Sequence, residues 1–276
     1  MPDSAAMGLL RKAVPPAIRR RAFKLAQRRF NRWGYSFVPS PPRQGAPDWD
    51  VWDWVKQSSQ IRTILDIGAN DGSFAAFLND FFQPAALHVF EPLPSCQPSL
   101  TALKARIPHL TVHQLALGEA PGHLELFENA FGPASSLLPV SDAHRQAFPD
   151  AEHQRTSLVK SARLDDVLAA DALERDVMIK VDVQGVEDHV IRGGTAVFSV
   201  ARIVLVEMSF VAMYEGQALF EEVHDLLVGC GLRLAGFKNQ IDEPGSARPL
   251  FAHCLYRRSD SLAGVPSSSD HTEEQS

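Results

Sequence analysis

The sequence predicts an α/β fold in which a mainly parallel sheet of seven strands carries helices on both faces. Short β-rich runs alternate with segments of helical periodicity, and a glycine-containing turn follows the first run. The composition is that of a globular protein, with 276 residues of which 45% are apolar and 22% charged. This length accommodates one large domain with extensions.

Seven runs rich in apolar and β-branched residues are the predicted strands. They are Ile61–Ile67, Ala86–Phe90, Leu110–Leu115, Val177–Val183, Arg202–Glu207, Leu232–Phe237 and Leu250–Tyr256. Apolar residues at helical spacing predict helices between them. These cover Phe74–Phe81, Pro94–Arg106 and Phe220–Cys230. Pro84 and Gly231 predict where the first and the last of these helices end. Proline cannot continue a helix, and glycine is favoured just beyond a helix end.

Both ends of the chain are predicted to lie outside the main domain. The predicted parts are a basic helical extension with its linker over residues 1–45, the domain over 46–258, and a disordered tail over 259–276. Residues 1–43 carry ten basic side chains and one acidic one, a net charge of +9, whereas the rest of the chain carries −15. Trp49, Trp52 and Val55 share one helical face and are expected to bridge the arm and the domain.

Charge and cysteine content exclude several classes of protein. A net charge of −6 argues against a body that binds nucleic acid. Cys96, Cys230 and Cys254 lie far apart in sequence, so neither a zinc site nor a disulfide framework is expected. We predict a cytoplasmic protein without a signal peptide or a membrane span.

The basic arm leaves two interpretations open. It docks on the acidic body of its own protein, as a helical cover or a homodimer contact, or it makes peripheral contact with an anionic membrane at the inner face.

The segment Asp66-Ile-Gly-Ala-Asn-Asp-Gly72 predicts a ligand site after the first strand. Glycine allows a sharp turn and a close approach to a ligand, and the next helix offers free N–H groups at the carboxyl edge of the sheet. Glu91 ends the second strand, where a carboxylate can accept hydrogen bonds from ribose hydroxyls. The dinucleotide fingerprint needs glycine where the chain has Asn70 and Ser73, so NAD is disfavoured.

A third segment, Met178 to Glu187, places polar residues in a buried strand. Strand alternation puts Lys180 and Asp182 on one face, and a buried lysine needs a carboxylate or a ligand as partner. A structural Lys–Asp or Lys–Glu pair is the alternative to a functional role for Lys180. Glu207 ends the following strand and is expected at the same edge of the sheet as Asp182.

Six short segments stand in a fixed order along the chain. They are Asp66-Ile-Gly-Ala-Asn-Asp-Gly72, Phe90-Glu-Pro92, Ala116-Leu-Gly118, Arg163-Leu-Asp-Asp166, Lys180-Val-Asp-Val-Gln-Gly-Val-Glu187 and Val204-Leu-Val-Glu207. In this order the chain resembles the FkbM family of S-adenosylmethionine-dependent methyltransferases over roughly residues 60 to 257. Gln184 departs from the pattern, because the family commonly carries glutamate there. The resemblance implies a Rossmann-like class I methyltransferase fold.

The resemblance also implies S-adenosylmethionine as the cofactor and a set of residues around it. This set is Asp66, Gly68, Ala69, Asn70, Gly72, Phe74, Glu91, Pro92, Leu93, Ala116, Leu117, Ser136 and Asp182. The glycine turn would surround the methionine end, Glu91 the ribose hydroxyls, and Leu93 with Ala116 and Leu117 the adenine. Ser135 and Ser136 lie in a segment that could fold over the site.

The implied activity is O-methyl transfer to a hydroxyl of a sugar in a glycan, a glycolipid or a glycosylated metabolite. Because a sulfonium methyl group is already activated, the enzyme must align the acceptor and help to remove its proton. The candidate catalytic residues are Lys180, Asp182, Glu187 and Glu207, and loops such as 128–155 are expected to shape the acceptor pocket.

Other functions stay open at this point. A divalent cation at the acidic edge is an option that the residues do not favour. The alternatives to a methyltransferase are an NAD-type oxidoreductase on a similar sheet and a catalytically idle cofactor-binding protein.

Overall fold

The computed structural model describes residue 52, residues 55–56, and the ranges 59–129, 135–148, 153–243 and 245–258. The predicted basic extension over residues 1–45, the predicted tail over 259–276 and Trp49 lie outside the described residues. Trp52 and Val55 are described, and both are buried against the core.

The described residues contain ten strands. They are β1 (Thr63–Ile67), β2 (Ala86–Phe90), β3 (Leu110–His113), β4 (Ala116–Leu117), β5 (Gly122–Asn129), β6 (His153–Ala162), β7 (Val177–Val181), β8 (Ala201–Ser209), β9 (Leu232–Asp242) and β10 (Pro249–Arg258). Seven of them form the main sheet in the order β3-β2-β1-β7-β8-β10-β9. Strands β1, β2, β3, β7 and β8 pair in parallel, and β10 runs antiparallel to both β8 and β9. The predicted seven-stranded, mainly parallel sheet is confirmed.

Seven α-helices connect or cover these strands in the described part of the chain. They are α1 (Ser73–Phe82), α2 (Gln97–Arg106), α3 (Asp142–Ala147), α4 (Leu164–Val167), α5 (Glu187–Gly193), α6 (Thr195–Val200) and α7 (Phe220–Gly229). A 3₁₀ turn over Pro94–Cys96 precedes α2, and a second one covers Ala170–Ala172. Pro94 and Pro98 fit the first turns of their helices. Gly231 follows the end of α7 with φ +82°, the left-handed conformation expected just beyond a helix.

Two apolar clusters on opposite faces of the sheet form most of the core. Successive residues of a strand point to opposite faces, so Ile64 belongs to one cluster and Leu65 to the other. Helices α1 and α2 pack on the Ile64 face, and α5, α6 and α7 pack on the Leu65 face. Covering both faces explains why the central strands are almost continuously apolar.

A second sheet of three strands, in the order β4-β6-β5, is absent from the predicted architecture. The prediction of one strand over Leu110–Leu115 was wrong at its end, because β3 stops at His113 and β4 then joins the other sheet. The predicted loop region 128–155 also contains the end of β5, helix α3 and the start of β6.

Among the described residues, no helix combines the length and the hydropathy required to cross a lipid bilayer.

Two histidines on β2 and β3 form a stacked pair. His88 Nδ1 lies 3.1 Å from His113 Nε2, and the ring of His113 stacks on Phe90 with centroids 4.4 Å apart. Burial and the neighbouring His88 lower the pKa of His113 to about 4, and burial also lowers the pKa of His88.

We expect His113 to contribute to acid sensitivity. The pKa of histidine is about 6.5 in an unfolded chain and is about 4 for His113 in the folded protein. The unfolded state therefore binds the proton more tightly, and stability is lost as the pH falls through this interval. We measure the free energy of unfolding by denaturant at about pH 7 and about pH 4.5. Between these two values it should fall less for His113→Gln than for the wild type. The control is His123→Gln, because His123 is exposed on β5. An equal fall of the free energy of unfolding in both variants would contradict the role of His113 in acid sensitivity.

Candidate functional site

The predicted glycine turn lies at the carboxyl end of β1 and is tightly packed. Gly68 has φ +77°, a conformation that favours glycine, and its N–H donates to the carbonyl of Phe90 over 3.0 Å. A Cβ at position 68 would lie 1.9 Å from the carbonyl oxygen of Asp182. The ends of β1 and β7 can therefore approach one another only because residue 68 has no side chain.

A cleft opens beside this turn, across the carboxyl ends of β1, β2 and β7. Its lining combines a few polar groups with an apolar wall, as is usual for small-molecule sites. The polar part consists of Gly68, Asn70, Glu91, Ser135, Ser136, Asp182 and Gln184. The apolar part consists of Ile67, Phe90, Pro92, Leu93, Leu115, Ala116, Leu117, Leu126, Leu137, Val183 and Val186.

Glu91 is buried at the end of β2 and binds two backbone amides. Its Oε2 accepts from the N–H of Asn70 over 2.8 Å, and its Oε1 accepts from the N–H of Leu93 over 2.9 Å. Burial raises the pKa of Glu91, while these two amides oppose the rise. Since each carboxylate oxygen has two lone pairs, Glu91 can hold the turn and still accept hydrogen bonds from the cleft.

Lys180 is buried on β7, and its ammonium group joins β7 to the glycine turn. Its Nζ donates to the carbonyl of Gly68 over 2.7 Å and lies 3.2 Å from Asp66 Oδ1 and 3.6 Å from Asp182 Oδ2. Burial alone would lower the pKa of Lys180, but the two carboxylates outweigh it and raise that pKa. These contacts favour the structural interpretation of Lys180, and its catalytic role stays a prediction.

The two acids beside Lys180 have different environments. Asp66 is fully buried, and this burial raises its pKa although Lys180 opposes the rise. Burial would also raise the pKa of Asp182, but the charge of Lys180 and the adjacent His253 and Gln184 hold it below the usual range. Asp182 thus stays ionised where it lines the cleft.

Glu187 stabilises the loop that follows β7. Its Oε1 accepts from the N–H groups of Val183 and Gly185 over 3.2 Å, and its Oε2 accepts from Gly185 over 3.1 Å. Burial raises the pKa of Glu187 to about 7. Glu187 does not line the cleft, and these contacts favour a structural role over the predicted catalytic one.

Glu207 lies on β8 beside Asp182, and Gln184 bridges the two acids. Gln184 Nε2 donates to Asp182 Oδ1 over 2.6 Å and to Glu207 Oε1 over 3.1 Å. His253, opposite Glu207 in the β8–β10 register, brings Nε2 to 3.9 Å from an oxygen of each acid. Burial and the neighbouring acids raise the pKa of Glu207 well above its usual range. One oxygen of each acid and the imidazole nitrogen lie within 4.8 Å of one another, so this set could hold a divalent cation.

Nine of the thirteen residues predicted to bind the cofactor line the cleft. The four that lie outside its lining are Asp66, Ala69, Gly72 and Phe74. Phe74 packs against Trp52 with ring centroids 5.9 Å apart. A Cβ at Gly72 would lie 2.8 Å from Leu103 and 2.9 Å from Leu100, so this glycine allows α2 to approach α1.

Sequence reasoning missed three polar residues around the acidic pair: Gln184, Tyr214 and His253. In sequence, Gln184 is notable only as a departure from the family's glutamate. The hydroxyl of Tyr214 donates to Gln184 Oε1 over 2.7 Å, a contact between distant segments that no local pattern reveals. His253 has one signal, since it is a polar residue within an apolar strand beside the strand of Glu207.

Several named methyltransferases are similar to this chain. The 2-O-methyltransferase NoeI of Sinorhizobium fredii (strain NBRC 101917 / NGR234) is 29% identical over 170 residues, which are 59% of this chain and 70% of NoeI. The methyltransferase sdnD of Sordaria araneosa is 29% identical over 154 residues, which are 47% of this chain and 59% of sdnD.

Among solved structures, the chain is similar to the magnesium protoporphyrin IX methyltransferase ChlM of Synechocystis PCC 6803, with bound S-adenosylmethionine. It has a TM-score of 0.41 and 10% identity, and the match covers 76% of each chain. The sequence match, rather than this likeness, identifies the family. The model of the methyltransferase FkbM domain matches residues 66–238. Because this range is more than half of the chain, and because it contains the glycine turn, Glu91 and the acidic pair, the chain belongs to the methyltransferase FkbM domain family.

Proposed function

We propose that this chain is an S-adenosylmethionine-dependent O-methyltransferase whose acceptor is a sugar hydroxyl. The observation that carries the proposal is the cleft itself, in which the Gly68 turn, the Glu91 carboxylate and the ionised Asp182 lie at one edge of the sheet. Asp182 belongs to both the cleft and the acidic pair with Glu207, so a bound cofactor and an acceptor would meet there.

The residues of the cleft fit this cofactor. Glu91 retains lone pairs for the ribose hydroxyls, and the absence of a side chain at Gly68 lets the ends of β1 and β7 meet at the cleft that Gly68 lines. Leu93, Ala116 and Leu117 belong to an apolar wall suited to adenine. When bound, the sulfonium supplies a methyl group that is already activated.

The chain's own task is to orient the acceptor and to take its proton. The bound cofactor would give its methyl group to the acceptor oxygen and leave as the thioether, and the hydroxyl proton of the acceptor would pass to a carboxylate of this chain. Glu207 and Asp182 are the candidate bases: burial and the neighbouring acids raise the pKa of Glu207, whereas Lys180 lowers the pKa of Asp182 and keeps it ionised. Asp182, held anionic by Lys180, would accept a hydrogen bond from the acceptor.

A polyhydroxylated acceptor matches the polar character of this region. Asp182, Glu207 and His253 are each partly exposed and present hydrogen-bonding atoms within a few ångströms of one another. Sugars offer several adjacent hydroxyls that such groups can bind together. The name of NoeI, a 2-O-methyltransferase, supports a hydroxyl as the acceptor class.

Cofactor binding and methyl transfer test the proposal separately. Calorimetric titration should show binding of S-adenosylmethionine, and the melting temperature should rise with this cofactor but not with NAD. Labelled methyl transfer should then be measured to a panel of sugars, with phenols and carboxylic acids as comparison acceptors. Failure to bind the cofactor would refute the proposal. Binding without transfer to any acceptor would favour a catalytically idle protein.

We expect Glu91→Ala to weaken binding of S-adenosylmethionine by about 10- to 100-fold, because hydrogen bonds to a charged group contribute about 1.5–3 kcal/mol. Calorimetry on folded protein measures this change. The control is Glu125→Ala, which removes an exposed carboxylate from β5 and should leave affinity unchanged. Equal affinity in the Glu91 variant and the wild type would exclude the ribose role.

A further inference from the structure

All polar groups of the Gln184 side chain are engaged by neighbours. Nε2 donates to Asp182 Oδ1 over 2.6 Å and to Glu207 Oε1 over 3.1 Å, and Oε1 accepts from the hydroxyl of Tyr214 over 2.7 Å. The backbone carbonyl of Gln184 accepts from the hydroxyl of Ser136, which also lines the cleft. The amide nitrogen faces the carboxylates because only it can donate to both of them. Gln184 therefore joins the cofactor side of the cleft to the acidic pair.

The backbone at Gln184 adopts a conformation that is unfavourable for a residue with a Cβ. Its φ is +60°, in the left-handed region, and Gly185 follows with φ +111°. A Cβ at Gly185 would lie 2.9 Å from the ring of Tyr214. A strained backbone conformation persists only where the surrounding contacts hold it in place, and it is frequent at functional sites. Here the Tyr214 ring and the Glu187 carboxylate hold the loop in place.

The bridge consists of two ordinary N–H···O hydrogen bonds, and their lengths also show what an oxygen at the same place would do. Ligand oxygens lie about 2.0–2.1 Å from octahedral magnesium, so neighbouring oxygens are about 2.9 Å apart. The distances of Gln184 Nε2 from Asp182 Oδ1 and Glu207 Oε1, 2.6 Å and 3.1 Å, bracket this value. A carboxylate oxygen in place of that nitrogen would lie at the spacing of neighbouring ligands and would put a third anion beside the two acids. The nitrogen instead offers one N–H to each acid.

A cation held by Asp182, Glu207 and His253 would meet a fixed positive charge beside Asp182. Asp182 Oδ2 lies 3.6 Å from the ammonium of Lys180, and a divalent cation bound to that oxygen would be repelled by this fixed charge. We propose that Gln184 is a positioning residue whose amide takes the place of a divalent cation between Asp182 and Glu207, so that methyl transfer proceeds without a bound metal. This inference rests on the proposed function, because it concerns the acids that would face the acceptor.

The substitution Gln184→Glu tests the inference, because it keeps the shape of the side chain and replaces the donor nitrogen with an anionic oxygen. In EDTA, we expect Q184E to transfer methyl groups about 100-fold more slowly than the wild type, since misplaced reacting groups cost about that much. Mg²⁺ or Mn²⁺ should restore most of the rate of Q184E, whereas neither EDTA nor metal should alter the wild type. Calorimetric titration with Mn²⁺ alone should show binding to Q184E and not to the wild type.

A matched control is Gln217→Glu. The amide of Gln217 accepts from the backbone N–H groups of Met213 and Tyr214 and donates to Ser209 Oγ, away from the acidic pair. Q217E should neither bind Mn²⁺ nor depend on metal for activity. Thermal unfolding establishes that both variants are folded before either is assayed.

Two results would overturn the inference. One is a wild-type activity that EDTA abolishes and metal restores, and the other is a folded Q184E with the wild-type rate and no affinity for Mn²⁺. A wild type that neither binds S-adenosylmethionine nor transfers methyl groups would refute the proposed function instead. In that case the comparison of Mn²⁺ binding by Q184E and the wild type still decides the role of Gln184.

Discussion

Replacing Lys180 with methionine should lower the free energy of unfolding by about 3–5 kcal/mol. Methionine retains an unbranched apolar stem of similar length, but Asp66, which is 0% exposed, loses its cation and the carbonyl of Gly68 loses its donor. Removing one partner of a buried ion pair leaves an uncompensated charge in a medium of low dielectric constant. Urea unfolding at about neutral pH measures this loss.

The control is an exposed ion pair next to the same strand. Arg62→Met breaks the contact with Glu174 at 3.1 Å, whose side chains are 52% and 55% exposed, and should cost no more than about 1 kcal/mol. The difference in free energy of unfolding between Lys180→Met and the wild type should become smaller as the pH falls. Burial raises the pKa of Asp66, so this acid can then take up a proton and lose its charge. Adding Asp66→Asn should recover part of the stability. A Lys180 variant as stable as the Arg62 variant would contradict a structural role for this cation.

The parallel part of the fold could be predicted because its signals are local. Strands β1, β7 and β8 are covered on both faces, so they stand out in sequence as almost unbroken apolar runs. The period of two in a strand also placed Lys180 and Asp182 on one face. The parallel register of β1 and β7 then sets Asp66 opposite Lys180, which explains their pairing.

The second sheet could not be predicted in the same way. Strand β4 has only two residues, Ala116–Leu117, and pairs with β6, whose residues 161 and 162 are distant in sequence. Strand β5 alternates polar and apolar residues up to Leu126, but Phe127 and Glu128 break the alternation, so its period-two signal is short. Pairings of this kind depend on loop closure and tertiary packing, which no short window of sequence contains.

The candidate site also combines residues with local sequence signals and residues that only long-range contacts bring together. Gly68, Glu91 and Asp182 follow strands whose carboxyl ends meet at one edge, so their proximity could be inferred from topology. The contacts of Gln184 with Tyr214 and of Glu207 with His253 depend on a left-handed residue and on an antiparallel strand near the end of the sequence. The shared edge of Asp182 and Glu207 could be predicted, but the contacts of this acidic pair with Gln184 and His253 emerged only from the three-dimensional arrangement.

Replacing Gly68 with alanine should abolish measurable cofactor binding and reduce stability. The left-handed conformation alone costs an L-residue about 1–2 kcal/mol. The larger effect is steric, since the new Cβ would lie 1.9 Å from the carbonyl oxygen of Asp182 and must push β1 and β7 apart. That shift would also disturb the hydrogen bond from Lys180 to the Gly68 carbonyl. Calorimetric titration with S-adenosylmethionine and thermal unfolding report the two effects separately.

Gly236→Ala provides the matched control for this variant. Gly236 lies in β9 without a positive φ, and a Cβ there would meet no atom within 4 Å. Its substitution should leave cofactor affinity unchanged and alter stability little, because the side chain enters open space and the strand conformation suits alanine. If Gly68→Ala bound the cofactor as tightly as Gly236→Ala, the close approach of β1 to β7 would not shape the binding site. If Gly68→Ala lost affinity for the cofactor and Gly236→Ala did not, cofactor binding would require a residue without a side chain at position 68.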